Sequence, residues 1–137
     1  MCKLISAFWP LLGSRDSTKS GLAVRTARTR YEALGMTLRL KPGAAESYRK
    51  YHESVWPEVL EMLRQCNIRN YSIYFKDDVL FAYLEYHGSD IKKDWATMGA
   101  HKKTQEWWAI MQPLQDPLPT RKDGEWWAEM DEVFHMD

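Results

Sequence analysis

Between Ala33 and Leu40 the chain alternates, with Leu34, Met36, Leu38 and Leu40 on one side and Ala33, Gly35, Thr37 and Arg39 on the other. A period of two predicts a strand with one buried face. Lys41-Pro42-Gly43 stops it. From Ala44 to about Cys66 the period lengthens. Tyr51, Val55, Val59, Met62 and Cys66 recur every three or four residues and predict the core stripe of one long helix. Pro57 has no N–H to donate, which predicts a kink near Glu53. Asn67–Asn70 reads as a turn. Tyr71–Phe75 reads as a second strand with Tyr71, Ile73 and Phe75 on one face. After the polar turn Lys76-Asp77-Asp78 comes a third strand, Val79–Tyr86, so residues 71–86 form a β-hairpin.

Gly88-Ser89-Asp90 breaks the chain and offers a helix cap. Asp90–Met98 and about Lys102–Met111 read as helical, separated at Gly99. Residues 113–124 hold three prolines and a glycine and read as a loop. The segment Trp126–Phe134 ends in a last strand near Glu132–Phe134. No internal repeat interrupts this order. The order is β-α-β-β-α-β, an α+β chain of the ferredoxin-like split β-α-β type. One antiparallel sheet would carry helices on one face. Its other face needs a cover, which predicts a homodimer of the dimeric α/β barrel type.

The chain has 137 residues, enough for one domain. Its 45% hydrophobic content allows a core. Charge is balanced at 19 basic and 19 acidic residues but unevenly spread. Residues 1–30 hold six basic residues against Asp16, a net +5, which leaves −5 for residues 31–137. That N-terminal stretch is also Ser-rich and shows no period. It reads as a disordered extension, with residues 31–137 as the domain. As a targeting segment it would fit a mitochondrial address; without that address the protein is expected in the cytoplasm. Zero net charge argues against a nucleic-acid partner or an acidic membrane surface. No apolar run approaches the roughly 20 residues that span a bilayer. The two cysteines, Cys2 and Cys66, suit a reducing compartment.

Aromatic content is high at 13%, with seven Trp and seven Tyr. Tyr48, His52 and Trp56 are spaced i, i+4, i+8, a second stripe beside the core stripe of the expected helix. At the rim of a core, a pocket can open there, and histidine exchanges protons near neutral pH. The same spacing also fits a helix with a surface histidine and two aromatics packed on a loop. Trp107-Trp108 are adjacent, so on a helix they point about 100° apart and one ring can line a cavity. Indole faces suit the C–H faces of sugars; plain core filling is the other use. Trp95 and Trp126-Trp127 share that ambiguity. Tyr71 opens the second strand, where its hydroxyl could meet a ligand. His87, His101 and His135 are isolated and show no metal-ligand spacing, so no metal site is expected. No phosphate-binding glycine loop, dinucleotide fingerprint or nucleophile elbow occurs. The candidate machinery is proton transfer with aromatic stacking and no cofactor.

Tyr48-x-x-x-His52-x-x-x-Trp56-Pro57-Glu58, Asn70-Tyr71-x-Ile73-Tyr74, Leu80-Phe81-Ala82, Trp107-Trp108 before Met111, and Glu132-Val133-Phe134 together resemble the L-rhamnose mutarotase family. The resemblance covers about residues 31–137. Residues 1–30 have no counterpart in it, and the loop with Trp126-Trp127 looks individual to this chain. The resemblance implies a small dimeric α/β protein that interconverts the α and β anomers of L-rhamnose, or of a related deoxy sugar, without a cofactor. Carried over by position, it implies His52 as proton donor, binding of the monosaccharide by Tyr48 and Tyr71, and a pocket lined by Trp107 and Trp108; a mechanism consistent with this has Tyr48 as a second catalytic residue that holds or relays the anomeric proton. Two alternatives stand beside it: a dimeric-barrel monooxygenase-like enzyme, and a non-catalytic sugar-binding module.

Overall fold

The computed structural model describes residues 31–136; the expected N-terminal extension and its targeting reading lie outside the described residues. Strand β1, Glu32–Leu40, buries Leu34, Met36, Leu38 and Leu40 and leaves the intervening residues half-exposed or exposed, as the alternation predicts. It is the centre of the sheet. Strand β3, Val79–Tyr86, runs antiparallel along one edge of it, with Met36 opposite Ala82 and Leu38 opposite Leu80. Strand β2, Ile68–Lys76, pairs outside β3. The β2–β3 turn is made by Asp77 and Asp78, both at positive φ (50° and 59°), the left-handed pair that a two-residue hairpin turn requires. The strand order β2-β3-β1-β4, with helices on one face, is the expected ferredoxin-like arrangement.

The predicted long helix is two helices, α1 at Ala45–His52 and α2 at Pro57–Gln65. Pro57 breaks the helix outright because it holds Trp56 in extended backbone (ψ 135°) while itself serving as the first residue of α2. Of the expected stripe, Val59 and Cys66 are in the core and Val55 and Met62 pack against it, but Tyr51 does not. Tyr51 is 40% exposed, and Tyr48, one turn earlier, takes its place in the core. Strand β2 begins at Ile68, earlier than expected. Its irregularity between Arg69 and Ser72 absorbs the predicted turn, with Asn70 at positive φ.

Helix α3, Ile91–Ala100, is capped by the Asp90 carboxylate, which accepts from the Lys93 N–H at 3.1 Å. The break before α4, Lys102–Met111, falls at His101 rather than Gly99. The imidazole Nδ1 of His101 accepts from the Thr104 N–H and caps α4 as a serine or aspartate would. After a short 3-10 turn, β4 (Gln115–Asp116) pairs with the end of β1. Strand β5 (Ala128–Met130) then pairs with its middle. The last strand is therefore Ala128–Met130, not Glu132–Phe134. Pairing with β1 ends at Met130, opposite Gly35, and Val133 and Phe134 are left exposed.

The core lies between the helices and one sheet face, where Leu84, Ala82, Leu38, Met98 and Trp107 meet. The opposite face exposes Tyr74, stacked on Phe81 at 6.2 Å, together with Val79 and Met130. Among the described residues no helix is long and apolar enough to cross a membrane. Leu84 is fully buried on β3. Leu84→Ala is expected to lower unfolding free energy by about 2–5 kcal/mol, read as a lower urea midpoint at unchanged slope.

Candidate active site

Helix α1 sets Tyr48 and His52 one turn apart on one face, and their rings stack at 4.2 Å and 27°. The Nδ1 of His52 lies 2.9 Å from the main-chain oxygen of Tyr48. A carbonyl only accepts, so Nδ1 carries the hydrogen and, in the neutral ring, Nε2 keeps the lone pair. Burial holds the imidazole below its usual range; the hydrogen bond to Tyr48 opposes this but is the smaller influence. Tyr48 is buried, and desolvation with the neighbouring Tyr71 phenol drives its ionisation far above the ordinary range. Tyr71 comes from β2, and burial pushes its hydroxyl up to about 12. Both phenols therefore stay protonated at any working pH.

Trp107 on α4 joins these groups. It meets His52 edge-on at 5.5 Å, Trp56 at 5.4 Å and Tyr51 at 6.2 Å. Trp107 is buried and Trp108 half-buried, the division expected of adjacent helical residues. A cavity of about 610 Å³ opens beside them. Tyr48, His52, Tyr71, Trp107 and Trp108 all line it, with Val59, Leu63 and Phe75 among its apolar walls. The same five residues line a small inner recess of about 60 Å³. The structure thus brings together the five side chains that the family resemblance assigns to the sugar site.

Other aromatic and histidine candidates lie elsewhere. Trp56 packs on Trp107 and beneath the Lys103 ammonium. Trp95 is buried against Tyr86, so its use is core filling. His87 stacks on Tyr31, His101 caps α4, and His135 lies 3.8 Å from Glu132. Among the described residues no three His, Cys, Asp or Glu side chains form a metal-binding group. Gln115 of β4 also lines the inner recess and went unread in the sequence, and Trp127, left there between core filling and a ligand role, lines it too. Trp127 was visible as half of a tandem pair, whereas nothing local marks Gln115. Its side-chain oxygen accepts from the Trp126 indole N–H at 2.8 Å.

A family model described as L-rhamnose mutarotase matches residues 33–136. An L-rhamnose mutarotase of Phocaeicola vulgatus is 36% identical over 100 residues, which is 72% of this chain and 91% of that protein. One from Ligilactobacillus salivarius is 38% identical over 109 residues, 76% of this chain and 96% of that protein. The crystal structure of an L-rhamnose mutarotase from Formosa agariphila superposes with a TM-score of 0.62 at 23% identity, covering 77% of this chain and 99% of that one.

The buried imidazole generates a prediction of its own. His52 should titrate below 6.5 in the folded protein, read from its ring-proton NMR shift and assigned with His52→Gln. An unfolded chain then takes up a proton that the native state refuses as pH falls below 6.5. Stability should drop over that interval, and His52→Gln should remove this part of the drop.

Proposed function

The chain belongs to the L-rhamnose mutarotase family, and from that premise we propose that it is an isomerase that interconverts the α and β anomers of L-rhamnose or a closely related 6-deoxy sugar by acid/base ring opening. The observation that carries the reading is the convergence of Tyr48, His52, Tyr71, Trp107 and Trp108 on one cavity, with the His52 ring oriented by the Tyr48 carbonyl.

Anomer exchange opens the hemiacetal, turns C1 and closes it again. A proton leaves the anomeric hydroxyl, the bond from C1 to the ring oxygen breaks with its electron pair going to that oxygen, and the oxygen is protonated. His52 rests neutral. Its Nε2 takes the anomeric proton and, as imidazolium, returns a proton to the ring oxygen, so it is the proton donor of the second half-step. Both oxygens are bonded to C1, which lets one nitrogen serve them. Tyr48 holds the reacting oxygen by its hydroxyl, and Tyr71 binds the sugar beside it. The indoles of Trp107 and Trp108 face its apolar C–H surfaces. A methyl in such a site is worth about 1–3 kcal/mol, so other 6-deoxy sugars should also enter. Nothing in this sequence of transfers calls for a cofactor.

The protein works as a homodimer in this reading. Tyr74, Val79, Phe81 and Met130 form an apolar patch on the sheet face opposite the helices, and Phe134 projects from an exposed C-terminal segment. A second copy of the same sheet would cover it. A cytoplasmic location suits the buried free thiol of Cys66.

Exchange between the two anomeric proton resonances of L-rhamnose at equilibrium tests the activity directly. The wild type should accelerate it, and His52→Ala should lose about 10²–10⁴-fold of kcat. Trp108→Ala should raise KM roughly 3- to 10-fold, as expected for loss of an aromatic contact, with a smaller change in kcat. Sugar binding without exchange would identify a binding module instead; an oxidised product would identify an oxygenase. Sedimentation should find the wild type dimeric, and Phe81→Glu, a charge placed in the patch, should yield monomers.

A further inference from the structure

We propose that the cavity beside His52 takes more than a bare monosaccharide. Its remainder is an apolar chamber for a hydrocarbon group carried by the sugar, so the substrate class is a reducing 6-deoxy sugar with an acyl or aryl group on a hydroxyl other than the anomeric one. The proposal deepens the mutarotase reading and, for its catalytic consequence, rests on it. The sugar's place is where the cavity meets the inner recess, since Tyr48, His52, Tyr71, Trp107 and Trp108 line both. The whole cavity measures about 610 Å³. That is the liquid volume of about twenty waters, and it lies in the range of sites that bury drug-sized molecules, about 300–1,000 Å³. A single pyranose leaves most of it unfilled.

The walls decide what that space accepts. Away from the five shared residues they include Val59, Leu60 and Leu63 of α2 and Phe75 of β2, while Leu80 of β3 and Met98 of α3, both buried, form the floor. Two further polar side chains border this part, and neither serves a buried hydroxyl well. The Thr104 hydroxyl lies 2.9 Å from His101 Nδ1, which also accepts from the Thr104 N–H, so the hydroxyl hydrogen is committed to that nitrogen. Arg49 is exposed, its guanidinium over the Phe75 ring at 5.0 Å, and with Leu60 and Tyr74 it marks the opening. A second sugar residue placed here would bury hydroxyls without partners, a penalty that hydrocarbon escapes. Close-packed interiors leave few voids wider than a water, and an apolar hollow is stabilised when hydrocarbon fills it. A group attached to the sugar enters this space as the sugar docks, so one ligand fills both parts.

Anomer exchange measured by NMR on four sugars tests this: L-rhamnose, its 3-O-benzyl and 4-O-benzyl ethers, and a reducing disaccharide with L-rhamnose at its free end. One of the benzyl ethers should show a KM about 10- to 100-fold below that of L-rhamnose, the gain expected for burying a phenyl-sized group. Its kcat should stay close to that of L-rhamnose, because a contact remote from C1 is equal in the ground and transition states. The disaccharide should gain nothing. Leu63→Trp and Leu60→Trp fill the chamber from α2, and each should cancel the benzyl gain. The quantity to follow is the ratio of KM for the benzyl ether to KM for L-rhamnose in the same variant, in which any loss common to both sugars cancels. Near-ultraviolet circular dichroism establishes that each variant is folded. Should Leu63→Trp not fold, Leu60→Trp, at a position already 37% exposed, decides.

Benzyl ethers with KM no lower than that of L-rhamnose would overturn the proposal, as would a disaccharide that gains as much or a benzyl gain that survives in the folded variants. Should the wild type bind L-rhamnose in calorimetry without exchanging its anomers, the mutarotase reading fails. The chamber is then read from affinity: it stands if a benzyl ether binds about tenfold or more tighter than L-rhamnose and the folded variants lose that difference, and it falls otherwise. Absence of binding of all four sugars to the wild type removes both.

Discussion

One hydrogen bond inside α1 governs what the site can do. By giving its Nδ1 hydrogen to the carbonyl of Tyr48, His52 fixes both the tautomer and the plane of its ring. The bond spans one helical turn, so it forms wherever α1 forms and needs no distant partner. It also ties the imidazole to the stacked Tyr48 ring, leaving a single nitrogen for exchange with a bound molecule. Burial then favours the neutral form of that ring. Orientation, tautomer and charge state of the one group that titrates near neutrality thus follow from helix geometry and from the apolar surroundings that α4 supplies through Trp107.

Pro57 governs the surroundings. Had the helix continued through residue 57, Trp56 would lie two turns beyond Tyr48 on the same face. The break moves Trp56 to the start of α2, where it packs against Trp107 and carries Lys103 on its other side. The cavity opens where the two short helices part from the edge strand β2, with Val55 and Val59 on one wall and Ile73 and Phe75 on the other. A proline that costs one helical hydrogen bond thus leaves two short helices, and residues of both line the cavity.

The parts of the fold that were legible in sequence are those set by local period. The alternation from Ala33 to Leu40, the Asp77-Asp78 turn and the Asp90 cap each carry their reason within a few residues. Boundaries failed where a residue acts outside its usual role. His101 caps α4 although histidine is not among the preferred caps, while the more obvious breaker, Gly99, stays inside α3 and offers its carbonyl to Gln105. The last strand was misplaced because Glu132-Val133-Phe134 has the composition of a strand, whereas the segment that pairs with β1 is Ala128–Met130. Of the five candidate residues, helix spacing marks Tyr48 and His52, the tandem marks Trp107 and Trp108, and Tyr71 stood out only by its place at the head of an expected strand. Gln115 was not, since a polar residue between a leucine and an aspartate becomes part of the site only once β4 docks beside β1 and Trp126 returns from eleven residues further on.

The cavity's composition sets one of its ionisable groups apart from two others. Its walls are mostly hydrocarbon and indole, which strengthens every hydrogen bond made inside it and penalises every charge. Tyr48 and Tyr71 respond by holding their protons more tightly. His52 responds in the opposite sense, releasing its proton more readily, because for imidazole the charged form is the protonated one. The same burial thus makes two permanent donors and one ready acceptor out of three ionisable side chains. A reaction that moves a proton between two oxygens on one carbon suits that division. In the mechanism proposed above, the imidazole would accept and then return the proton at a single position, while the phenols would hold the oxygens. A polar, water-filled site would leave the phenols nearer their ordinary ionisation and the imidazole partly charged, and the roles would blur. The aromatic content that first set this sequence apart is what keeps them separate.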